Sequence, residues 1–352
     1  MSFGSPATES WVLRTVGAST VAVVIIFAVG VTNESVIRAQ PRQVKVKPAA
    51  VPKVRLSDES AGIDEIARTL ISAFDECDIV ALGEAHGRFR QESDLRIALV
   101  RNPDFAKKVR FIVVEFASVT EQPTLDRYIR GENVSPAELA QVWKTTTQAA
   151  NGNDIWDSPI YPEFFAAVRD VNAKLPADMQ IRVLGGDPGL GDNRSRESLA
   201  VSVIEEQVLQ KHGKALVIYG AAHFYRTLDK DYVASTGDNN DIVKTLDIDY
   251  PGRIFVAIPI GWLDRPRPVA VDSQPDYQKF DRALKTQVRP VLVPLQRLPF
   301  RDFNVEEFLG RTVITCRGSN GCVSAFKGST LTLGQMGDAC IYFGGTVDAK
   351  GR

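Results

Sequence analysis

Short apolar runs alternate with segments of helical period over most of the chain. Continuous apolar runs predict strands at Ile79–Leu82, Phe111–Phe116, Ile181–Leu184, Leu216–Tyr219 and Ile254–Ile258. Apolar residues three and four apart predict helices at Ile63–Phe74, Glu92–Val100, Gln122–Ile129, Pro136–Trp143, Pro162–Ala173 and Arg196–Lys211. Short apolar strands alternating with helices are typical of a mostly parallel sheet covered on both faces. The pattern therefore predicts an α/β fold with a mostly parallel central sheet flanked by helices.

The C-terminal third follows this pattern less clearly. Residues Arg265–Asp302 are rich in proline and basic side chains and predict no particular element, while Thr312–Gly345 predicts strands and turns. Of the four cysteines, Cys316 and Cys322 bracket a turn-rich loop. They fit either a small disulfide hairpin, as in an oxidising compartment, or two reduced thiols. Because the chain lacks a Cys-x-x-Cys pair, a zinc–thiolate site is not expected.

The N-terminal segment has a composition of its own. Residues Thr15–Asn33 carry no charge, which suits either a membrane anchor or a signal peptide cleaved after Ala39. We therefore expect a signal peptide or anchor over residues 1–40, a basic, proline-containing linker over 41–59, one α/β domain over 60–345 and a tail over 346–352. The protein would be exported to the cell envelope or membrane-anchored, with its orientation left open by the basic linker.

Composition limits the class of partner. The chain has 352 residues, 44% of them hydrophobic, and a formal net charge of −1. That charge predicts no general attraction to nucleic acid. We expect a small-molecule substrate or ligand, and contact with a membrane only through the N-terminal segment.

Titratable side chains are concentrated where the predicted strands end. Four successive strands are followed by Glu84 with His86, by Glu115, by Asp187 and by His223, in a chain with only three histidines. Ligands bind beyond the carboxyl ends of parallel strands, which share one edge of the sheet. Each residue also has a simpler explanation; Asp187, for example, lies in a glycine-rich turn where aspartate is common. Their recurrence at the same structural position nevertheless predicts a site at the carboxyl ends of the strands.

Two kinds of chemistry fit these residues. In the first, His86 is a general base oriented by Glu84 or Glu115, and Arg88 or Arg90 stabilises an oxyanion. In the second, a divalent metal bound by Glu84, His86, Glu115 and His223 activates a water molecule. No Gly-x-Ser-x-Gly is present, so a serine nucleophile of that kind is excluded.

The segment Leu82-Gly83-Glu84-Ala85-His86-Gly87 resembles the Leu-Gly-Glu-x-(x)-His-Gly signature of the erythromycin esterase and ChaN-like superfamily, which is related to the TraB and Tiki proteases. Further segments resemble that superfamily in the same order along residues 60–345: Phe111–Glu115, Asp192–Arg196, Gly220–His223 and Asp338–Gly344. The resemblance implies an α/β fold whose functional set is Glu84, His86, Glu115 and His223. Asp187 and Arg194 are further candidates for the site.

Members of this superfamily differ in chemistry: the esterases are thought to use a histidine base without metal, Tiki-like members use a metal, and ChaN-like members bind haem. The Glu84-x-His86 spacing is one residue shorter than in the esterases and favours the ChaN-like branch. The segment after Arg196 lacks the esterases' Met-Ala-Glu-Asn, which argues against macrolide hydrolysis. The leading hypothesis is a hydrolase of ester or amide bonds. The alternatives are a non-catalytic envelope protein that binds haem or a metal ion, and a degenerate scaffold in which the four residues do not meet.

Overall fold

The central sheet has eight strands, in the order β1-β7-β10-β6-β2-β5-β3-β4. Its strands are β1 (Ser60–Ala61), β2 (Ile79–Glu84), β3 (Phe111–Ser118), β4 (Arg182–Asp187), β5 (Ala215–Gly220), β6 (Ile254–Ile260), β7 (Val291–Pro294) and β10 (Ala339–Tyr342). All neighbours from β10 to β4 are parallel, and β7 and β1 add antiparallel pairings at one edge. The predicted α/β class with a mostly parallel sheet is confirmed.

The computed structural model describes most of the chain beyond the N-terminal segment. The described residues are 54, 56, 58–86, 90–150, 152, 155–227, 242–260, 275–309, 314–316, 322–324 and 328–344. All of the described residues belong to one compact unit. The predicted span Thr15–Asn33, the signal peptide or anchor and most of the linker lie outside the described residues. Within them, no helix has the length and hydropathy needed to cross a membrane.

Twelve helices are described. They are α1 (Ile63–Ala73), α2 (Arg90–Arg101), α3 (Phe105–Lys108), α4 (Gln122–Ile129), α5 (Pro136–Lys144), α6 (Thr147–Ala150), α7 (Ile160–Asn172), α8 (Arg196–Gln207), α9 (Ile242–Asp249), α10 (Pro275–Ala283), α11 (Val305–Leu309) and α12 (Leu333–Met336). The hydroxyl of Ser195 accepts from the Ser198 amide and so caps α8, which sets where that helix begins.

The two faces of the sheet bury two separate hydrophobic cores. On β2, Val80 and Leu82 face one core, whereas Ile79 and Ala81 face the other. Both faces are therefore covered, which explains why the inner strands read as continuous apolar runs rather than as alternating ones.

Several elements differ from the sequence predictions. The predicted helix Arg196–Lys211 ends as an α-helix at Gln207 and finishes in a 3₁₀ turn, Leu209–Lys211, closed by His212 at φ +53°. The unassigned region Arg265–Asp302 contains α10 and β7, and the segment Thr312–Gly345 contains the helical turn α12 as well as the expected strands. These elements are short, and β7 ends in Pro294, so their local patterns carried little signal.

The predicted cysteine hairpin corresponds to a separate pair of antiparallel strands, β8 (Ile314–Cys316) and β9 (Cys322–Ser324). Cys316 and Cys322 lie directly opposite each other in this pair. Directly opposed Cα atoms in antiparallel strands are separated by about 4.5–5.5 Å, a span that a disulfide can bridge. The backbone pairing is thus compatible with a disulfide, one of the two alternatives that the sequence left open.

Candidate functional site

The turn Glu84-Ala85-His86 ends β2 at the carboxyl edge of the sheet. Glu84 is the last residue of the strand and lies opposite Gly220 at the end of β5. His86 then adopts φ +58°, in the left-handed region that side chains other than glycine seldom occupy. This backbone reversal returns the imidazole of His86 toward the ends of β2 and β5.

Glu84 binds one nitrogen of His86 and is itself firmly held. Its Oε1 lies 2.9 Å from Nδ1 of His86 and accepts a 3.4 Å hydrogen bond from the Tyr161 hydroxyl. Its Oε2 accepts from the buried guanidinium of Arg96. A carboxylate at Nδ1 places the proton on that nitrogen and leaves Nε2 to face the rest of the site.

Glu115 lies in the centre of the site. It follows Val114, the last residue of β3 that pairs with β5, at a register shift in the β3–β4 pairing. Such irregularities redirect a side chain, and here they direct a fully buried carboxylate to the strand ends. Its donors are the Gly220 amide at 2.7 Å, Gln148 Nε2 at 2.7 Å and Arg196 at 2.6 Å. An uncompensated charge there would be strongly unfavourable, so these donors are essential.

The second histidine mirrors the first. His223 lies in a 3₁₀ turn, Ala221–Phe224, directly after β5. Its Nδ1 is 3.0 Å from Oε1 of Glu197, in ionic contact although the angle falls short of a hydrogen bond. Its Nε2 is 3.5 Å from Oε1 of Glu115, while Nε2 of His86 is 3.6 Å from Oε2 of the same carboxylate. Carboxylates and imidazoles therefore alternate in the order Glu84, His86, Glu115, His223, Glu197.

This alternation changes the acid–base behaviour of each group. Burial lowers the pKa of His223, but the charge of Glu115 and contacts with both carboxylates raise it to about 9. The pKa of His86 is also raised, because the Glu115 charge and the Glu84 hydrogen bond outweigh burial. Burial raises the pKa of Glu115, yet the two imidazoles hold it well below its ordinary value. The site thus favours imidazolium groups around an ionised carboxylate.

A linked effect on stability is expected from His223. Its pKa is about 9 in the folded protein against 6.5 for an unperturbed histidine, so the folded state binds the proton more tightly. The resulting stabilisation, on the order of 3 kcal/mol, is complete below pH 6.5 and is lost as the pH rises toward 9. In urea unfolding at pH 6.5, 7.5 and 9, the free energy of unfolding should decrease less with rising pH for His223→Gln than for the wild type. The control is His212→Asn, at an exposed histidine, for which the free energy of unfolding should depend on pH as in the wild type. Equal slopes for all three proteins would contradict this assignment.

Gly220 makes the close approach of the two strand ends possible. A Cβ atom on this residue would overlap Nε2 of His86 and lie 2.8 Å from Cε1. Its amide also donates to Glu115. A residue without a side chain is therefore required for His86 to lie against the end of β5.

Of the residues that the sequence suggested, Glu84, His86, Glu115 and His223 come together. Asp187 is fully buried at the end of β4, but it binds Thr147 and Gly189 instead of an imidazole. It anchors α6, the helical turn that carries Gln148. The structure therefore gives Asp187 the role of a loop anchor, the simpler of the two explanations.

Arg90, one of the two arginines expected to stabilise an oxyanion, and the further candidate Arg194 contact other carboxylates. Arg90 pairs with Glu163 and, at 3.3 Å, with Asp94, and Arg194 pairs with Asp192. Both guanidinium groups are at least half exposed, with side-chain exposures of 59% and 50%. Arg88 lies outside the described residues.

The guanidinium groups that contact the carboxylates Glu84 and Glu115 are those of Arg96 and Arg196. Arg196 is the first residue of α8, after the cap Ser195, whereas Arg194 precedes the helix. Sequence reasoning also missed Glu197, Gln148, Tyr161 and Trp156. The Trp156 ring meets that of His86 edge-on, with centroids 4.9 Å apart. A charged residue on an apolar helix face, as Arg96 is between Leu95 and Leu99, was the available signal.

The side chains pair with one another instead of leaving a vacant coordination sphere. In the part of the chain that the structure describes, no three His, Cys, Asp or Glu side chains are arranged to hold a metal ion. Neither the predicted metal site nor haem binding gains support from the geometry. A series of close carboxylate–imidazole ion pairs is instead suited to moving protons.

Known structures share the fold at low sequence identity. Erythromycin esterase EreC, solved as a mutant in its open conformation, aligns with a TM-score of 0.51 and 10% identity over 83% of this chain and all of its own. A Bacillus cereus protein aligns with a TM-score of 0.50 and 12% identity over 84% of this chain and 95% of its own. A succinoglycan biosynthesis protein aligns with a TM-score of 0.51 and 11% identity over 80% of this chain and 90% of its own. No protein-family description matches the chain, and no curated protein does so.

These likenesses establish a common fold and no more. They share the predicted α/β architecture, and one of the three is an erythromycin esterase; none of them distinguishes the ChaN-like branch. Fold alone does not define an activity, so function has to be argued from the side chains at the strand ends.

Proposed function

We propose that the protein hydrolyses an ester or amide bond, with His86 as the general base. The observation that carries this proposal is that only one of the two ring nitrogens of His86 is hydrogen-bonded. Nδ1 is bound to Glu84 at 2.9 Å, whereas Nε2 lies 3.6 Å from Glu115, beyond hydrogen-bonding distance. The side chain of His86 is 24% exposed, while those of Glu84 and Glu115 are 2% and 0% exposed. His86 is therefore the proton acceptor that a substrate can reach.

The chemistry follows from these roles. Nε2 of neutral His86 takes a proton from water as the oxygen bonds to the carbonyl carbon of the substrate. Glu84 stabilises the imidazolium that forms. The partly exposed side chain of Arg196, which contacts Glu115, is assigned the role of stabilising the negative charge that develops on the substrate. When the tetrahedral intermediate collapses, the bond to the leaving group breaks and His86 returns the proton to that group.

The pH dependence of hydrolysis tests this assignment. Since only the neutral imidazole accepts a proton, kcat/KM should rise with pH through a pKa above 6.5, the ordinary value for histidine. Glu84→Gln removes a negative charge that raises the pKa of His86, so the rising limb should move to lower pH. A panel of chromogenic esters and anilides would supply the substrate. A limb that stays in place in Glu84→Gln, or a wild type inactive on the whole panel, would count against the proposal.

We also propose that the N-terminal residues 1–40 direct export or anchor the protein, and that the Glu84-x-His86 spacing relates it to the ChaN-like branch. The support for the first is the uncharged segment Thr15–Asn33, and for the second the short spacing itself. Mass spectrometry of protein purified from whole cells distinguishes a cleaved N-terminus from an intact one in the membrane fraction. An intact chain in the soluble fraction would contradict export and anchoring alike.

A further inference from the structure

A second buried glutamate contacts the turn that carries His86. Glu92 lies in the first turn of α2 and is 6% exposed. Its two carboxyl oxygens lie 3.1 and 3.2 Å from the amide nitrogen of Ala85. This side chain therefore holds the peptide group that joins Glu84 to Ala85, directly before His86, although it touches neither imidazole.

The turn needs such an anchor. For residues other than glycine, the left-handed conformation costs roughly 1–2 kcal/mol, and His86 adopts it at φ +58°. Strained conformations persist only where surrounding contacts determine them. Pairing of β2 with β5 fixes Glu84 from one side. The Ala85 amide follows the last strand residue, so its hydrogen bond to Glu92 is the next constraint along the chain.

The surroundings of Glu92 indicate how it acts. Glu92 faces a small chamber that Glu84 and Arg96 also line. The other side chains around it are apolar: Leu82, Leu95, Ile218, Ile341 and Phe343. Burial, together with the charge of Glu84, raises the pKa of Glu92 to about 8, although Arg96 opposes this. A carboxyl group that is largely protonated at neutral pH still offers its carbonyl oxygen to the Ala85 amide. Either protonation state keeps an acceptor oxygen near the Ala85 amide, so the geometry requires a hydrogen-bond acceptor at this position.

We propose that Glu92 is a positioning residue that holds the left-handed turn at His86 through the Ala85 amide. Its role is to keep the imidazole aligned between Glu84 and Glu115. The kinetic part of this inference rests on the proposed function, because it takes His86 as the base. The structural part does not, because the orientation and titration of His86 can be followed without any substrate.

Three variants separate the hydrogen bond from charge and volume. Glu92→Gln keeps an acceptor oxygen at the same reach, Glu92→Leu keeps a comparable volume without an acceptor, and Asp94→Asn is the control on an exposed face of the same helix. We expect Glu92→Gln and the control Asp94→Asn to keep the wild-type kcat and pH profile. For Leu we expect kcat to fall roughly tenfold to a hundredfold, as misaligned catalytic groups do, with KM changed less than twofold.

Histidine NMR gives the readout that is independent of substrate. With three histidines in the chain, each imidazole can be assigned and titrated separately. In Glu92→Leu the pKa of His86 should fall toward 6.5 as the ring leaves its carboxylates, while that of His223 stays near 9. Glu92→Gln should preserve both titrations.

The outcomes are distinct. If His86 titrates alike in the wild type and Glu92→Leu, or if Glu92→Gln shifts it as much as Glu92→Leu does, the positioning role is overturned. Should Glu92→Leu fail to fold, Glu92→Asp must show the same shift, since its carboxyl is one methylene too short to reach Ala85. A wild type with no hydrolytic activity refutes the proposed function alone and leaves the NMR test intact.

Discussion

A His86→Asn variant is expected to lose roughly 10²–10⁴-fold in turnover, the usual contribution of a general base. Asparagine is chosen because it tolerates the left-handed backbone at φ +58°, so the loss cannot be attributed to an altered turn. The charges around it remain compensated, since Arg96 still binds Glu84, and Arg196 and His223 still contact Glu115. The melting temperature should therefore change little compared with kcat.

Steady-state kinetics and thermal unfolding of the same preparations check this expectation. His212→Asn is the matched control, because His212 is exposed and also left-handed, at φ +53°. It ends a 3₁₀ turn that precedes β5 and is therefore away from the carboxyl ends of the strands. It should retain full turnover. Turnover of His86→Asn equal to that of the wild type would exclude His86 as the base.

Gly220→Ala is the second substitution for which a large effect is expected. The added methyl group would overlap Nε2 of His86, forcing the imidazole away from Glu115 or the ends of β2 and β5 apart. The amide that donates to Glu115 is retained, so the effect is steric. Overpacking of this kind costs about 1–3 kcal/mol, and displacing a catalytic group costs on the order of a hundredfold in rate. We expect turnover to fall by at least that factor.

A double-mutant cycle identifies the cause. If the methyl group acts by striking His86, Gly220→Ala should destabilise the His86→Ala protein much less than it destabilises the wild type, because the ring is gone. Gly131→Ala is the control: its φ of +92° makes alanine strained, yet nothing lies within 4 Å of the new atom. It should lower the free energy of unfolding and leave turnover unchanged. Strictly additive effects of Gly220→Ala and His86→Ala would show that the two residues do not interact.

The alternation of carboxylates and imidazoles explains why proton transfer, and not coordination of an ion, is the chemistry proposed. Each histidine has a carboxylate of its own at Nδ1, Glu84 for His86 and Glu197 for His223, and they share Glu115 at Nε2. Their titrations are coupled, so a pH profile will report the behaviour of the group as a whole. The Glu84→Gln comparison is useful because it alters only one end of this series of carboxylates and imidazoles.

The sequence by itself determined which titratable residues lie at the carboxyl ends of four parallel strands. Apolar runs marked β2, β3, β4 and β5, and the residues at their ends followed from reading one position further. Because parallel strands direct their carboxyl ends to a single edge, Glu84, His86, Glu115 and His223 could be expected to meet without knowledge of the strand order. The compact Glu84-x-His86 turn and the glycine at 220 were visible in the same segments.

The tertiary structure alone decided which groups complete the site. Arg96, Gln148, Tyr161 and Glu197 come from helices, whose rotation about their axes depends on how they pack against the sheet. A shift of two residues along the chain changes the direction of a helical side chain by about half a turn. Arg194 precedes the cap of α8 and lies in solvent beside Asp192, whereas Arg196 is the first residue of the helix and binds Glu115. Strand ends are fixed by the sheet, but the start of a helix and the face it turns inward are set by its packing.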